Sequence, residues 1–307
     1  MNYGAVGDGL TDDSNLEGKI VAPSSIEEWN GHKDTWIEFN DIDGLTIYGG
    51  GKFDGRGSVW WKSCNALFIH NCNKLVLSGT RHVNSAKNHI SINSCNTVNV
   101  LNITTIAPED SPNTDGIDIS ESSLINVEDS TFATGERHCK LPRCTLHVGS
   151  LGKDGSYQTV EHIHVYNCTF TGTTNGARIK TWKGGSGYAR NISFEHIILV
   201  NARNPIIIDQ NYSDIENEGR SETDAVEVEW VTYRHVKGTC KSETAITLDC
   251  GGKFGCRNIC MESVNITAAA SESRVRASCI NAHGSAASTS PPVSDIQPAP
   301  KKIKFED

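Results

Sequence analysis

A short phrase recurs along the chain, in which an Asn- or Ser-containing turn precedes an apolar, a polar and an apolar residue. Alternation of this kind predicts β-strands, and strands this short must stack on their neighbours because none of them can bury its own apolar face. A second strand-like series lies between the copies of the first. The first series begins at Leu75, Val98, Ile125, Ile163, Ile192, Val231 and Ile259, and the second at Ile90, Ile117, Leu146, Ala177, Ile206 and Ala245.

The spacing of the two series predicts an all-β right-handed parallel β-helix, a solenoid in which each coil lays its strands on those of the coil before. Successive copies of the first series start between 23 residues (Leu75 to Val98) and 39 residues (Ile192 to Val231) apart. A β-propeller needs four strands in each repeat of about 40–50 residues, and this period is too short for that. A β-sandwich does not predict two interleaved series. We predict one domain over residues 1–281 and a disordered C-terminal tail over residues 282–307, where small residues and prolines crowd together.

Composition excludes several classes of protein. The net charge of −9 disfavours nucleic acid as a partner, because backbone phosphates require a basic surface. The chain has no apolar run of membrane-spanning length, and Met1 opens a polar segment that lacks the apolar core of a secretion signal. The 11 cysteines are nevertheless many for a reducing compartment. A zinc site at Cys256 and Cys260 is a weak alternative to disulfides, because no second ligand pair has the required spacing. Asn-x-Ser/Thr sequons begin at Asn102, Asn167, Asn191, Asn211 and Asn265.

Polar residues of the second series are predicted to form one column. Asp118, His147 and Arg178 each stand between apolar neighbours, so they point outward from their strands, and Lys180 follows Arg178 on the same face. Asp115 lies in the turn before the first of these strands. A fixed basic pair in a groove suits an anionic polymer. The competing interpretation is a solvated strand face, with an incidental histidine and an ordinary Asn-Thr-Asp-Gly turn.

Several motifs appear in one order along the chain. They are Asn-Thr-Asp-Gly at 113–116, Gly-Ser-Leu-Gly at 149–152 and Asn-Gly-Ala-Arg-Ile-Lys-Thr-Trp at 175–182, with residues 2–13 and the glycine-rich stretch 49–55 before them. With these motifs the chain resembles the plant polygalacturonases of glycoside hydrolase family 28, from residue 2 to about residue 294. The resemblance implies a right-handed parallel β-helix, secretion to the cell wall, and inverting hydrolysis of α-1,4-linked galacturonate in pectin without a metal or cofactor. We expect a monomer whose partner is pectin or polygalacturonate.

The resemblance also assigns roles to residues. It implies that Asp115 helps to activate water, that Arg178 and Lys180 bind substrate carboxylates, and that Tyr212 lines the substrate groove. The family's Gly-Asp-Asp is replaced by Gly-Glu-Arg at 135–137, which leaves Glu136 to protonate the leaving oxygen and puts a cation where a carboxylate is needed. The Gly-His-Gly position falls on Arg-Cys-Thr at 143–145. We therefore predict severely impaired catalysis. The alternative is a non-catalytic pectin-binding protein or a defective gene product of the same family.

Two further expectations come from the resemblance. Cys250 and Cys256 match a family disulfide, whereas the partner of Cys279 would stand where Asp295 is found, so we expect Cys279 to be unpaired. The family continues after Ser14 into an amphipathic helix that caps the solenoid, and this chain lacks the corresponding segment. A pectate lyase, which shares the solenoid, would need a carboxylate cluster for calcium among the outward residues, and the sequence shows none.

Overall fold

The structure is a computed structural model that describes residues 4–6, 13–28, 35–60, 65–108, 111, 114–134, 144–213, 224–270 and 274–298. Nearly all of this part of the chain is β-strand or the turns between strands. The helical segments within it are three short 3₁₀ turns at Ile26–Glu28, Gly57–Val59 and Lys153–Gly155. In the same ranges, no helix is long and apolar enough to span a membrane.

All paired strands run parallel and form two sheets. The first sheet takes one strand from each coil. Its ten strands, numbered in chain order with those of the second sheet, are β1 (Gly4–Val6), β4 (Thr35–Asn40), β7 (Asn65–His70), β10 (Ile90–Asn93), β13 (Ile117–Ser120), β16 (Cys144–Leu151), β19 (Asn175–Trp182), β22 (Asn204–Tyr212), β25 (Thr244–Asp249) and β27 (Arg276–Ile280).

The second sheet has 18 strands in two runs, because the chain bends within each coil. The first run contains β2 (Asp13–Asn15), β5 (Thr46–Tyr48), β8 (Asn73–Ser78), β11 (Asn96–Leu101), β14 (Ser123–Glu128), β17 (Tyr157–Tyr166), β20 (Ser186–Glu195), β23 (Glu227–Arg234), β26 (Cys256–Ala268) and β28 (Ala282–Ser290). The second run contains β3 (Lys19–Val21), β6 (Lys52–Asp54), β9 (Arg81–Val83), β12 (Thr104–Ala107), β15 (Thr131–Thr134), β18 (Thr169–Thr171), β21 (Ile198–Ala202) and β24 (Lys237–Cys240).

One apolar core runs between the sheets. Inward residues of the first sheet, such as Ile117 and Ile179, meet inward residues of the second sheet, such as Val127 and Phe194, and all four are fully buried. Each coil thus repeats the apolar-polar-apolar phrase seen in the sequence, and each inward side chain packs on the equivalent residue of the next coil. Both predicted strand series are confirmed, and the parallel pairing of every coil with the next makes the fold a β-helix.

The sequence missed one strand of each coil. Strands β9, β12, β15, β18, β21 and β24 follow the first run and give three strands per coil where the sequence indicated two. These strands are three to five residues long, and several bury a single apolar residue, as Phe170 does in β18. A pattern of one apolar residue between polar ones is too short to be distinguished from a turn.

The predicted C-terminal tail is wrong in its boundary. Residues 282–290 form β28, which pairs with β26, and Ala282 and Val293 are buried in the core. The chain then continues round the solenoid to a parallel bridge between His283 and Gln297, in which the Gly284 N–H donates to the Gln297 carbonyl at 2.7 Å and the Gln297 N–H donates to the Ala282 carbonyl at 2.9 Å. The small residues of this segment suggested disorder. They form a strand because the neighbouring coil, through β26, supplies the hydrogen bonds and the packing. Residues 299–307 lie outside the described part.

The first run of the second sheet bends at one residue per coil. This bend column consists of Lys74, Thr97, Leu124, His162, Asn191, Trp230 and Asn258, whose φ angles lie between 53° and 61°. Asn tolerates this left-handed backbone conformation, whereas bulky residues adopt it rarely. Register places His162, Asn191 and Trp230 side by side, because β17, β20 and β23 are paired on both sides of the bend.

The cysteines follow the expectations drawn from the resemblance. Cys250 and Cys256 form a disulfide, which removes Cys256 from the zinc alternative. Cys279 is unpaired among the described residues. Burial raises the pKa of its thiol to about 11, and the negative charge of Asp295 adds to this effect. Cys72, Cys95, Cys168, Cys240 and Cys260 are also free thiols.

Candidate functional site

Asp118, His147 and Arg178 stand next to one another on the first sheet. Asp118 in β13 pairs with His147 in β16, and His147 pairs with Arg178 in β19. Their chain neighbours Ile117, Val148 and the other apolar residues on either side are fully buried. The column that alternation predicted is therefore confirmed, with its members one strand spacing, about 4.8 Å, apart.

The column is more deeply covered than a solvated strand face would be. His147 is 5% exposed and Arg178 is 4% exposed, although both project from the outer side of the sheet. The Arg178 Nη2 atom lies 2.9 Å from the Asp209 Oδ2 atom on the next strand, β22. A guanidinium that is buried and paired in this way has a fixed position, which argues against the solvated-face interpretation for Arg178.

Asp118 is a carboxyl group that retains its proton. Burial and the negative charge of Asp115 raise its pKa from 3.8 to about 8, against the opposing charges of Lys180 and Lys87 and a hydrogen bond from Asn88. The Asn88 Nδ2–H group donates to Asp118 Oδ2 at 3.1 Å. Asp115, whose negative charge acts on Asp118, lies in the turn before β13.

His147 is neutral. Burial, together with the positive charges of Arg178 and Lys180, holds the pKa of its imidazole well below 6.5. Its Nδ1 atom lies 3.5 Å from Asp118 Oδ1. With Asp118 protonated and His147 uncharged, this contact joins two neutral groups and is not an ion pair. The His147 Nε2 atom has no hydrogen-bond partner among the described residues.

Lys180, Trp182 and Tyr212 form an aromatic and cationic end of the column. The Lys180 ammonium lies 3.3 Å from the centroid of the Tyr212 ring. The Trp182 and Tyr212 rings meet edge to face with centroids 4.7 Å apart, and Lys153 stands 5.4 Å from the Trp182 ring. The structure thus brings together Arg178, Lys180 and Tyr212, the three residues predicted to bind substrate.

One glycine allows the coils to approach one another here. Gly149 has φ +114°, and a Cβ atom on it would lie 2.1 Å from the Lys180 carbonyl oxygen. Any other residue would push the coil that carries His147 away from the coil that carries Lys180. The Gly-Ser-Leu-Gly motif therefore sets the spacing of the column.

The remaining predicted residues have different outcomes. Asp115 is half-buried at the start of β13, where its carbonyl accepts a hydrogen bond from the His89 backbone N–H at 2.7 Å. Glu136 and Arg137 lie outside the described residues, as does the polar stretch 214–223. Sequence reasoning missed Asp209 and Asn88. Asp209 pairs in register with Lys180, so projecting the sequence onto stacked coils would have found it.

The described residues include no group of three or more His, Cys, Asp or Glu side chains arranged to hold a metal ion. What the column offers is a protonated carboxyl, a second carboxyl beside it, and two fixed cations at one end. This arrangement can bind an anionic ligand and exchange a proton with it.

Comparison with known proteins assigns the family. The family model described as "Glycosyl hydrolases family 28" matches residues 10–139 and 144–289. The chain belongs to glycosyl hydrolase family 28. It is 43% identical over 290 residues to a probable polygalacturonase of Arabidopsis thaliana, an alignment that covers 87% of this chain and 63% of the relative. It is 36% identical over 280 residues to a polygalacturonase of Persea americana, covering 82% of this chain and 61% of the relative.

The solved structures confirm the fold. The endo-xylogalacturonan hydrolase of Aspergillus tubingensis superposes with a TM-score of 0.66 at 23% identity, and the match covers 90% of this chain and 86% of that one. The right-handed parallel β-helix predicted from the sequence is thereby confirmed. The chain spans just over three fifths of the length of the two curated relatives named above.

Proposed function

We propose that this family 28 chain binds polygalacturonate along the first-sheet column and hydrolyses its α-1,4 linkages with inversion, several orders of magnitude more slowly than an enzyme with an intact set of carboxylates. The observation that carries the proposal is the fixed pair of cations, Arg178 and Lys180, beside Asp115 and Asp118. Pectin is a polymer with one carboxylate on each galacturonate, so cations on a rigid strand match its charge.

In the proposal, the substrate binds at the end of the column. Arg178 is held by Asp209, and Lys180 lies over the Tyr212 ring. In the proposal, a galacturonate carboxylate takes charge-assisted hydrogen bonds from these two cations. Tyr212 lines the groove and limits the positions that the Lys180 ammonium can adopt.

The reaction needs one acid and one base. In an inverting hydrolase, a carboxylic acid protonates the leaving glycosidic oxygen while a carboxylate on the other face of the sugar removes a proton from the attacking water. We assign the base role to Asp115. For the acid the chain has two candidates, Glu136 by its place in the sequence and Asp118 because its raised pKa keeps it protonated near neutral pH.

A second candidate function is pectin binding without hydrolysis. The observation that favours it is Arg137, which stands where the family motif has an aspartate and places a positive charge among the catalytic groups. A cation beside Glu136 would stabilise the ionised carboxylate, and an ionised carboxylate cannot donate the proton that the leaving oxygen needs. We expect little recovery of activity in Arg137→Asp alone, because the histidine of the family's Gly-His-Gly is still replaced at 143–145.

The test measures release of reducing ends from polygalacturonate and, in parallel, calorimetric binding of oligogalacturonate. We expect slow release at most, an inverted anomeric product by proton NMR, and complete loss in Asp115→Asn. Asp118→Asn and Glu136→Gln then identify the acid, because only one of them should abolish the residual rate. Binding without any release would establish the second candidate, whereas neither binding nor release would refute both.

The proposed location is the plant cell wall, where pectin is found. Membership of family 28 and the plant polygalacturonases among its relatives support this location.

A further inference from the structure

Trp230 is an exposed aromatic residue in an unfavourable backbone conformation. It is 53% exposed, and it occupies the left-handed bend column with φ +57°. The equivalent residues on the coils before and after it are Asn191 and Asn258, a residue type that adopts this conformation readily. A tryptophan at this position exposes a large ring to water, and its backbone preference does not suit the bend. We therefore ask which group could cover the ring.

Trp230 lines a groove of about 570 Å³ on the second sheet. The groove also contains Asn191, Ser193, Thr232, Asn258 and Ser285, and none of its lining residues is charged. An aromatic face surrounded by hydroxyl and amide groups matches a neutral sugar, whose ring has an apolar C–H face and a polar edge. The absence of cations in the groove makes it unsuited to galacturonate, in contrast to the Arg178 column.

Asn191 is the first residue of the sequon Asn191-Ile192-Ser193 and stands beside Trp230 in register. It is exposed, and its side-chain amide makes no hydrogen bond to the described residues. Two other sequon residues differ, because the amide of Asn167 donates to Asp129 at 2.7 Å and that of Asn211 donates to Asp249 at 2.8 Å. Asn265 is also exposed, but its register partners are Lys237 and Ser290 and not an aromatic residue.

We propose that Asn191 carries an N-linked glycan whose first sugars lie on the ring of Trp230. The modification forms a bond from the Asn191 side-chain nitrogen to the anomeric carbon of N-acetylglucosamine. The bond from that carbon to the pyrophosphate oxygen of a polyisoprenyl-linked oligosaccharide donor breaks, the lipid pyrophosphate leaves, and the amide loses one proton. The inference rests on the extracellular location within the proposed function, and it does not depend on hydrolysis.

The glycan and the substrate would therefore occupy separate faces of the solenoid. The groove belongs to the second sheet, whereas Arg178 and Lys180 project from the first sheet. A glycan on Asn191 covers apolar surface without obstructing the first-sheet column. It also explains why Trp230 is tolerated at a bend where asparagine would be favoured.

The experiment compares the chain with its Asn191→Gln variant. Both are expressed in plant cells with a signal sequence fused at the N-terminus, so that they are secreted. Peptide mass spectrometry measures occupancy of Asn191, and hydroxyl-radical footprinting measures the oxidation rate of Trp230. We expect Asn191 to be occupied and the Trp230 rate to be half that of Asn191→Gln or less. Tyr157, which is 71% exposed and lies outside the groove, is the internal reference and should react equally in both chains.

Two matched variants make the result specific. Asn265→Gln removes a sequon without an aromatic neighbour and should leave the Trp230 oxidation rate unchanged. Trp230→Gly introduces a residue that suits the left-handed bend and creates no new sequon with Thr232, so it should fold, keep the Asn191 glycan and lose that glycan to an endoglycosidase faster than the parent does. Equal rates of release from the parent and Trp230→Gly would overturn the stacking.

Other outcomes also decide the question. An unmodified Asn191 in the secreted chain refutes the inference, and so does an occupied Asn191 with an unprotected Trp230. Protection of Trp230 that persists in Asn191→Gln would show that another molecule covers the groove. Binding of oligogalacturonate is measured on unglycosylated chain from bacteria, so failure of the proposed function is distinguished from failure of this inference.

Discussion

The outer faces of the two sheets carry charges in register, but in different ways. On the second sheet, Glu161, Arg190, Glu229 and Arg257 alternate in sign from one coil to the next, and this set is called the second-sheet ladder below. Its arginines find carboxylates at 2.7 to 3.4 Å and remain partly in solvent. On the first sheet, His147 and Arg178 are more deeply covered than the ladder arginines, and the contact between Asp118 and His147 joins neutral groups.

The difference distinguishes charges that neutralise one another from groups whose pKa values are strongly shifted. The charges of the ladder are neutralised without a ligand, because every arginine in it has a carboxylate beside it. Exposed ion pairs of this kind contribute little to the free energy of unfolding. The column has a carboxyl with a strongly raised pKa and a buried imidazole with a depressed one. Burial alone would select against such groups, so their presence points to a role in binding or chemistry.

The largest effect should come from removing the cation of the buried pair. Arg178→Ala leaves the Asp209 carboxylate without the guanidinium at 2.9 Å, and loss of one partner of a buried pair costs about 3 kcal/mol in the free energy of unfolding. Urea denaturation of the parent and the variant measures this cost. If Arg178→Ala lowers the free energy of unfolding by less than the loss of an exposed ladder arginine does, the proposed difference between the two faces is wrong.

The second effect is a pH dependence. Folded Asp118 keeps its proton up to about pH 8, while the unfolded chain releases it near the ordinary value of 3.8, so the folded state binds more protons between these limits. Its contribution to stability therefore falls as pH rises through this window and is constant above it. His147 acts in the opposite sense below pH 6.5, but it cancels when the parent is compared with a variant of Asp118.

Asp118→Asn should consequently gain stability relative to the parent by about 2 kcal/mol between pH 5 and pH 7. The figure is smaller than the stability change expected for a fully buried carboxyl group with the same pKa shift, because 26% of the Asp118 side chain stays exposed to solvent. Denaturation midpoints at several pH values provide the measurement. A difference that does not change with pH would mean that Asp118 is ionised and that the column resembles the ladder.

The third effect concerns the ligand. Arg178→Ala/Lys180→Ala should weaken binding of oligogalacturonate about tenfold, since two charge-assisted contacts are lost. Binding by the parent should weaken with added salt, because partly exposed ion pairs are screened, and fully methyl-esterified oligomers should bind poorly. Calorimetric titration with both ligands at low and high salt tests this. Equal binding of the ester would reduce the basic pair to an ordinary strand face.

Much of this contrast could be predicted from the sequence. Alternation within the second strand series placed Asp118, His147 and Arg178 in one column, because the side-chain period of a strand is fixed and the coils stack in register. Their burial could not be predicted, since it depends on which parts of distant coils cover that face. Asp209 was missed because its partner Arg178 is 31 residues away along the chain, although its register with Lys180 could have been found by stacking the coils.

Other differences between the sequence-based prediction and the structure arose where amino-acid composition was misleading. The Ala- and Ser-rich residues of β28 suggested disorder, yet β26 supplies the pairing that they need. The short strands of the second run escaped notice because one buried residue per strand leaves no period to detect. In contrast, the disulfide between Cys250 and Cys256 followed from the family resemblance and is confirmed.

The smallest effect should come from the ladder. Arg257→Ala removes contacts at 3.2 and 3.4 Å to two glutamates, and its expected cost is about 0.5 kcal/mol because water replaces them. Oligogalacturonate binding should be unchanged, which makes this variant the matched control for Arg178→Ala. A cost of several kcal/mol would show that the second sheet also depends on its charges.

The parallel bridge that the chain forms on β28 has a consequence for assembly. A stack of parallel coils ends in a strand with free N–H and C=O groups, and such an edge can recruit the same edge of another copy, so that solenoids grow end to end into fibres. Here Gln297 takes hydrogen-bonding positions beside Ala282 and Gly284, and two prolines, which have no N–H to offer, follow the last strand at 291 and 292. Part of the outer edge of β28 is therefore occupied by the chain's own backbone and is not open to a strand of another copy.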